Sequence, residues 1–189
     1  MDLGCLTLMW RFTRAEGITL RNLIGPIRWQ GGRDLWIGIG FYLLVFTLFL
    51  GGGLLSALLP YGSPQADPYP GLLFGRILPA WAVVYSRSLW WLIWSPTEEM
   101  TYQAYALPRI QALCGRTWIA IVVVSFWWAL QHSLLAFIPD WRSVIWRFLA
   151  FVPGVMGLMV AYLRIRRLAP LIVAHWLMDI TAAVMTIKL

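Results

Sequence analysis

Charged residues are scarce in this chain. Only 12% of its 189 residues are charged, whereas 60% are hydrophobic. A soluble domain of this length has roughly a quarter of its residues charged. So little polar surface cannot cover a water-soluble globule, and lipid is therefore the expected solvent for much of the chain. The length is that of one domain.

Cysteine, histidine and lysine are also scarce. The two cysteines, Cys5 and Cys114, lie far apart and match no ligand or redox spacing, which excludes a disulfide framework and a zinc knuckle. Lys188 is the single lysine, so arginine supplies nearly all of the positive charge behind the net charge of +7. The chain contains two histidines and eight acids, and each of them is therefore worth locating.

The arginines lie between apolar blocks and not in one stripe, which argues against a nucleic-acid partner. Positive residues are typical of the cytoplasmic side of membrane proteins. Arginines before residue 34 and at 164–167 place both regions in the cytoplasm, so a cytoplasmic N-terminus is predicted. The same early arginines interrupt any apolar run before Trp36, and no secretory signal is expected there.

Five apolar blocks are long enough, or nearly so, to cross a bilayer. They are 35–59, 72–94, 118–138, 144–163 and 168–187. A helix of mixed polarity over 96–115 either spans or lies partly immersed. Residues 1–33 alternate arginine with apolar residues and predict an interfacial helix anchored by Trp29. The predicted fold is all-α, a polytopic transmembrane bundle of five to six membrane-embedded helices with an N-terminal interfacial helix. Its parts are a basic segment 1–33, a first span and outside loop 34–70, and a membrane domain 71–189.

Ionisable side chains inside apolar segments are costly and by default indicate a functional site. His132 lies in one such segment, and His175 lies in another together with Asp179. A spacing of four residues puts His175 and Asp179 on one helix face, where the carboxylate would fix the tautomer of the imidazole. The alternative is an ordinary interhelical hydrogen bond that stabilises the bundle.

Glu98 and Glu99 stand at the edge of the second apolar block. Ser95 as N-cap, Pro96 at the first helical position and Glu98 two residues later predict a capping box that opens a helix. Helical spacing puts Glu98, Tyr102, Tyr105 and Arg109 on one face, and Glu99, Gln103 and Ala106 on the neighbouring one. Capping alone does not explain two adjacent carboxylates, although Glu99 paired with an arginine is an alternative.

Acid or base groups thus come from three separate helices into apolar surroundings, which predicts that Glu98, Glu99, His132, His175 and Asp179 converge. One feature argues against this. His132 is near the end of the block 118–138, and His175 is near the start of the block 168–187, with one block between them. The depths of the two imidazoles in the bilayer would therefore differ by roughly 10 Å at 1.5 Å per residue.

Three motifs in order resemble those of the CAAX protease and bacteriocin-processing (CPBP, or ABI) family of intramembrane proteases. They are Glu98-Glu99 with Tyr102, the aromatic run 126–132 that ends in His132, and the segment from His175 to Asp179. The similarity covers roughly residues 75–187. It implies a helical intramembrane endopeptidase in which Glu98 activates a water with help from His132. It further implies that Glu99 orients the site, and that His175 and Asp179 stabilise the oxyanion.

The sequence departs from the family pattern at two positions. Gln103 stands where the family usually has arginine, and Arg109, about three turns from Glu98, is too far away to replace it. Asp179 stands where many members have asparagine. An ionised carboxylate would repel an oxyanion, so Asp179 is either protonated or serves to orient His175, and orientation is the favoured role.

No cofactor is expected, and zinc is the alternative, because two histidines and a carboxylate can make an open zinc site. The expected partners are the lipid bilayer and a membrane-associated or lipid-modified protein or peptide as substrate, in the plasma membrane of a bacterium. Two other functions stay open. One is a non-enzymatic immunity or scaffold protein of the same fold, and the other is a proton-coupled transporter that uses the same groups as a relay.

Overall fold

The computed structural model describes residues 2–27, 32–64, 79–135 and 139–186, and this part of the chain is helical without any strand. We number its helices α1 to α7. They are α1 (Asp2–Ala15), α2 (Leu20–Ile24), α3 (Arg33–Tyr61), α4 (80–114), α5 (Thr117–Leu135), α6 (Trp141–Ile165) and α7 (Ala169–Thr186). The predicted all-α architecture is confirmed.

In the part of the chain that the structure describes, three helices are long and apolar enough to cross a membrane, namely α3, α5 and α6. Over the described residues α7 is apolar but shorter, and α4 is not among the candidates. The expected total of five to six embedded helices therefore stays a prediction.

Large apolar side chains cover the outside of the bundle. Leu59 is 77% exposed, Trp36 68% and Trp118 62%. A soluble protein rarely exposes contiguous apolar surface on this scale, whereas lipid tails solvate it without cost. The exposed side chains of α3 and α5 are therefore the lipid-facing surface that the low charge content predicts.

Helix α3 packs against both α6 and α7, and α5 packs against α6. Two glycines let α3 approach its neighbours closely. A Cβ atom at Gly38 would lie 2.7 Å from the Val173 Cβ atom, and one at Gly52 would lie 2.8 Å from the Ala150 carbonyl oxygen. Small residues at such crossings are typical of membrane helices, whose association depends on close van der Waals packing.

The capping box predicted at Ser95 is wrong, because α4 runs through this position without a break. Pro96 is inside the helical segment Trp90–Glu98, and the Ser95 hydroxyl donates to Asp179 at 2.7 Å. Proline is tolerated within a membrane helix because neighbouring groups satisfy the backbone that it frees. Helix α4 also contains two π-helical segments, Tyr85–Leu89 and Glu99–Ala106.

The second π-helical segment changes which residues share a face. Five-residue hydrogen bonding, as from the Leu107 amide to the Tyr102 carbonyl, turns the downstream residues away from α-helical register. Tyr102 therefore lies on the inner side, whereas Tyr105 and Arg109 face α1. The single face predicted for these residues and Glu98 is wrong.

The N-terminal segment forms two helices instead of one, with Thr19 capping α2. Glu16, just after α1, accepts hydrogen bonds from Arg109 and, at 2.7 Å, from Tyr105. These bonds, that of Arg109 above all, hold the pKa of Glu16 below its ordinary value. The predicted anchor Trp29 lies outside the described residues.

Candidate functional site

Glu98 is the point at which the predicted residues meet. It is buried, with 5% of its surface exposed. The Nε2 atom of His132 lies 3.7 Å from Glu98 Oε2, and the Nε2 atom of His175 lies 3.8 Å from the same oxygen. The packing of α5 and α7 around α4 thus overcomes the difference in depth that the sequence suggested. The histidines of two helices share one carboxylate oxygen of a third.

His132 has a defined hydrogen-bonding arrangement. Its Nδ1 atom lies 3.0 Å from the Trp128 carbonyl oxygen, one turn earlier on α5. A carbonyl oxygen only accepts, so Nδ1 carries the proton and donates. In the neutral ring Nε2 then presents a lone pair towards Glu98. The ring also stacks on Phe151 of α6, with 4.3 Å between ring centroids, which limits its rotation.

His175 is surrounded by three carboxyl groups. Its Nδ1 atom lies 2.9 Å from Glu99 Oε1, while its Nε2 atom lies 3.7 Å from Asp179 Oδ2 and 3.8 Å from Glu98 Oε2. The hydroxyl of Ser95 donates to the same Asp179 oxygen. A carboxylate on Nδ1 fixes which ring atom points at Glu98, as in other sites where a second residue orients a histidine.

Sequence reasoning missed the donors that hold Glu98. The indole N–H of Trp128 donates to Oε2 at 2.9 Å, and the amide of Gln131 donates to Oε1. Tyr102 in turn donates to the Gln131 carbonyl oxygen and stacks on Trp128 with ring centroids 4.9 Å apart. An available signal was the position of Trp128 and Gln131 within one turn before His132, on a helix otherwise apolar at its centre.

The position of Gln103 bears on the departure from the family pattern. Gln103 and Glu99 are fully buried, and neither the Gln103 amide nor Glu99 Oε2 has a hydrogen-bond partner among the described residues. Arg109 pairs with Glu16 on the outer side of α4. The expectation that Arg109 does not replace the missing arginine is therefore confirmed.

A cavity of about 940 Å³ lies against this cluster. His132, His175, Asp179 and Trp128 are in its lining, whereas the two glutamates lie behind them. The remaining wall is mostly apolar and comes mainly from α3, α4, α6 and α7, with Arg147 of α6 as a charged member. The cavity therefore joins a polar end, which carries acid and base groups, to a long apolar wall.

A catalytic zinc ion needs three protein ligands whose donor atoms each lie about 2 Å from the metal. Over the residues that the structure describes, no group of three or more histidine, cysteine or acidic side chains has such an arrangement. Glu98 already accepts bonds from Trp128 and Gln131. The residues as placed do not fit a zinc site, and we assign no step to a metal.

Comparison with protein families gives a match over the second half of the chain. Residues 91–181 match the family described as Rce1-like, type II CAAX prenyl endopeptidase Rce1-like. Comparison with curated proteins and with solved structures found no match. The matched segment lies within the 75–187 predicted from the motifs and contains the cluster around Glu98. With its three apolar helices the chain is an integral membrane protein. The segment 91–181 matches the Rce1-like family of type II CAAX prenyl endopeptidases, so the predicted resemblance to CAAX proteases is confirmed.

Proposed function

We propose that this protein is an intramembrane endopeptidase that hydrolyses a peptide bond with a water activated by Glu98. The observation that carries the proposal is the position of Glu98 Oε2, within 4 Å of the Nε2 atoms of both histidines. These separations are too long for direct hydrogen bonds and short enough for one water to contact the groups.

The water donates one proton towards Glu98 and the other towards the Nε2 lone pair of His132. Its oxygen lone pair is then directed at the substrate carbonyl carbon. As the carbon–oxygen bond forms, Glu98 takes the proton, and it returns this proton to the amine nitrogen when the carbon–nitrogen bond breaks. The products are a carboxyl group and an amine, so the reaction needs no further reactant. Trp128 and Gln131 keep the carboxylate of Glu98 facing the water.

His175 is suited to stabilise the oxyanion. Nδ1 donates to Glu99, so in the protonated ring Nε2–H is left to donate towards the polar end of the cavity, where negative charge develops. Asp179 lies one turn away and is itself held by Ser95, which fits the orienting role expected for it. A preorganised donor of this kind contributes roughly a hundredfold or more in rate.

The substrate is a membrane-associated or lipid-modified protein or peptide. The apolar wall of the cavity suits an aliphatic chain or apolar side chains, and its polar end suits the reacting peptide bond. The proposed location is the cytoplasmic side of the bacterial plasma membrane, in keeping with the distribution of arginines.

The test uses purified protein in liposomes with a quenched fluorescent peptide whose cysteine, near a free C-terminus, carries a farnesyl chain. An otherwise identical peptide without the chain shows whether the lipid matters. Wild-type protein should cleave at one bond, identified by mass spectrometry, and His132→Ala should lower kcat/KM by about 100-fold or more. Cleavage by His132→Ala at the wild-type rate would refute the mechanism.

The zinc-dependent form of the same reaction is tested on the same preparation. Elemental analysis of active protein, with and without prior chelation, measures metal per chain alongside activity. Substoichiometric metal with undiminished cleavage supports the glutamate–water mechanism, whereas loss on chelation and recovery with zinc would overturn it.

A further inference from the structure

A groove between α3 and α6, on the outer face of the bundle, has no part in the mechanism above. Its volume is about 370 Å³, and it shares no lining residue with the cavity next to Glu98. Helix α3 contributes Phe41, Leu44 and Leu48, and α6 contributes the wall from Pro153 to Arg164. Among the described residues that line the groove, Arg164 is the charged one.

The shape of the groove follows from small residues on α6. Gly157 has no side chain, and a Cβ atom there would lie 2.8 Å from the Leu48 Cδ1 atom of α3. Ala161, one turn later on the same face, has only a methyl group. The surface of α6 is therefore recessed where the two helices meet. Leu44 and Val160, which are 57% and 45% exposed, stand at the rim of this recess.

The groove has the length of one leaflet of a bilayer. Helix α6 rises about 16 Å from Pro153 to Arg164 at 1.5 Å per residue, and half of the hydrocarbon core is about 15 Å thick. Pro153 is in the middle of α6, whereas Arg164 is in its last turn. The apolar part of the groove therefore extends from the middle of the bilayer to one surface, as an acyl chain does, and the guanidinium group lies at the level of the lipid head groups.

The charge at the end of the groove indicates what covers it. Arg164 is exposed and makes no ion pair with another described residue. A second copy of this chain offers no acid to meet it, because Glu16 and Asp34 are paired with arginines of their own chain. Asp140 precedes the opposite end of α6, and the other acids whose side chains the structure describes surround His175. A lipid phosphate supplies the missing negative charge and an apolar chain in one molecule.

We propose that the groove between α3 and α6 binds one anionic phospholipid, with an acyl chain along the helices and the phosphate at Arg164. The planar donors of a guanidinium group fit phosphate oxygens with two parallel hydrogen bonds. Basic sites between membrane helices attract anionic head groups in the same way. The site lies apart from the cavity, so the inference does not rest on the proposed function.

The test uses phosphatidylglycerol that carries a photoreactive diazirine in its acyl chain, added to the protein in detergent micelles. After irradiation, mass spectrometry of tryptic peptides identifies the labelled residues. Unlabelled phosphatidylglycerol, phosphatidylcholine and diacylglycerol with the same chains compete for the site. Arg164→Gln removes the charge, and Val160→Phe fills the groove from its exposed rim. Arg142→Gln, at the other end of α6, and Val122→Phe, on the exposed side of α5, are the matched controls.

We expect labelling to concentrate on 41–48 and 153–164. Phosphatidylglycerol should compete about five- to tenfold better than phosphatidylcholine, the effect of one arginine on an anionic head group, and diacylglycerol should compete least. Arg164→Gln should reduce this preference to about one. Val160→Phe should weaken all three lipids about fivefold or more, and both controls should behave as wild type.

The preference is a ratio within each folded variant, so a loss of stability does not imitate its loss. Labelling spread evenly over the exposed faces of α3, α5 and α6 would overturn the proposal, because it is the result for ordinary surrounding lipid. An unchanged preference in Arg164→Gln, or an equal fall in Arg142→Gln, would overturn it as well. A second copy as the occupant would be seen as groove labelling that falls when the protein is concentrated, and this too would contradict the proposal. Cleavage of the peptide is a separate measurement, so failure of the proposed function leaves this result unaffected.

Discussion

Replacing Glu98 by glutamine removes the negative charge and keeps the shape of the side chain. Two donors face the Glu98 oxygens, the Trp128 indole and the Gln131 amide. The indole can only donate, so the new carbonyl oxygen must face Trp128 and the new amide nitrogen must face Gln131. Gln131 can rotate its amide by half a turn to accept, and the Tyr102 hydroxyl can then accept instead of donate. All three hydrogen bonds survive with their directions partly reversed.

The expected change in stability follows from these three retained hydrogen bonds. The bond from Trp128 changes from charge-assisted to neutral, which lowers its contribution by about 1 kcal/mol, and the smaller desolvation of a neutral side chain offsets this loss. We therefore expect the unfolding midpoint of Glu98→Gln to stay within about 4 °C of wild type. Loss of the general base should lower kcat about 10²- to 10⁴-fold, equivalent to about 3–5 kcal/mol of barrier.

Both quantities are measured on one preparation, by thermal unfolding in detergent and by cleavage of the farnesylated peptide in liposomes. Glu16→Gln is the matched control, because it is the same substitution far from the cavity and should leave kcat unchanged. A folded Glu98→Gln protein that cleaves at the wild-type rate would refute the role of Glu98. A large fall in midpoint without a matching loss of kcat would instead favour the non-enzymatic scaffold, in which the glutamate serves packing.

Three further outcomes test the structure at other points. Trp128→Phe keeps an aromatic ring but removes the N–H donor to Glu98, so kcat should fall about 10- to 100-fold with little change in KM; an unaltered kcat would contradict the positioning role. Gly38→Ala should destabilise the protein by about 1–3 kcal/mol, because its Cβ atom would lie 2.6 Å from a valine of α7, whereas Gly40→Ala, with nothing within 4 Å, should not; equal thermal midpoints would be inconsistent with the close helix crossing. The lowered pKa of Glu16 means that its contact with α4 is fully present above the ordinary carboxyl value of 4.5 and is lost as the pH falls through the lower folded value. Hydrogen exchange in α1 should therefore increase only in that acidic range, and an increase between pH 7 and 5 would be evidence against the linkage.

The convergence of the titratable groups could be predicted from sequence because lipid makes isolated charges so costly. His132, His175 and Asp179 stand out in apolar segments, and Glu98 and Glu99 stand out as a pair. The energetic argument requires them to meet, and the structure brings them together at Glu98. The catalytic roles assigned to these residues stay predictions.

The parts that could not be predicted depend on local backbone geometry and on uncharged donors. Ser95 and Pro96 have the pattern of a helix start in water, but inside a bundle the helix continues and the hydroxyl finds Asp179 instead. The π-helical turns after Glu98 leave no periodicity signal in so short a segment. Gln131 carries no charge, so its position within one turn of His132 was a weaker signal than a buried acid or base.

Helix α3 forms part of the cavity wall. Phe46, Phe49, Leu50 and Leu54 are its wall residues, and they supply apolar surface without an acid or base group. Helix α3 also precedes the segment 91–181 that matches the family. Changes to these side chains would therefore reshape the space available to a substrate while the groups around Glu98 stay in place. Under the proposed function, substitutions in α3 would therefore change which apolar groups fit the cavity without altering the reacting groups.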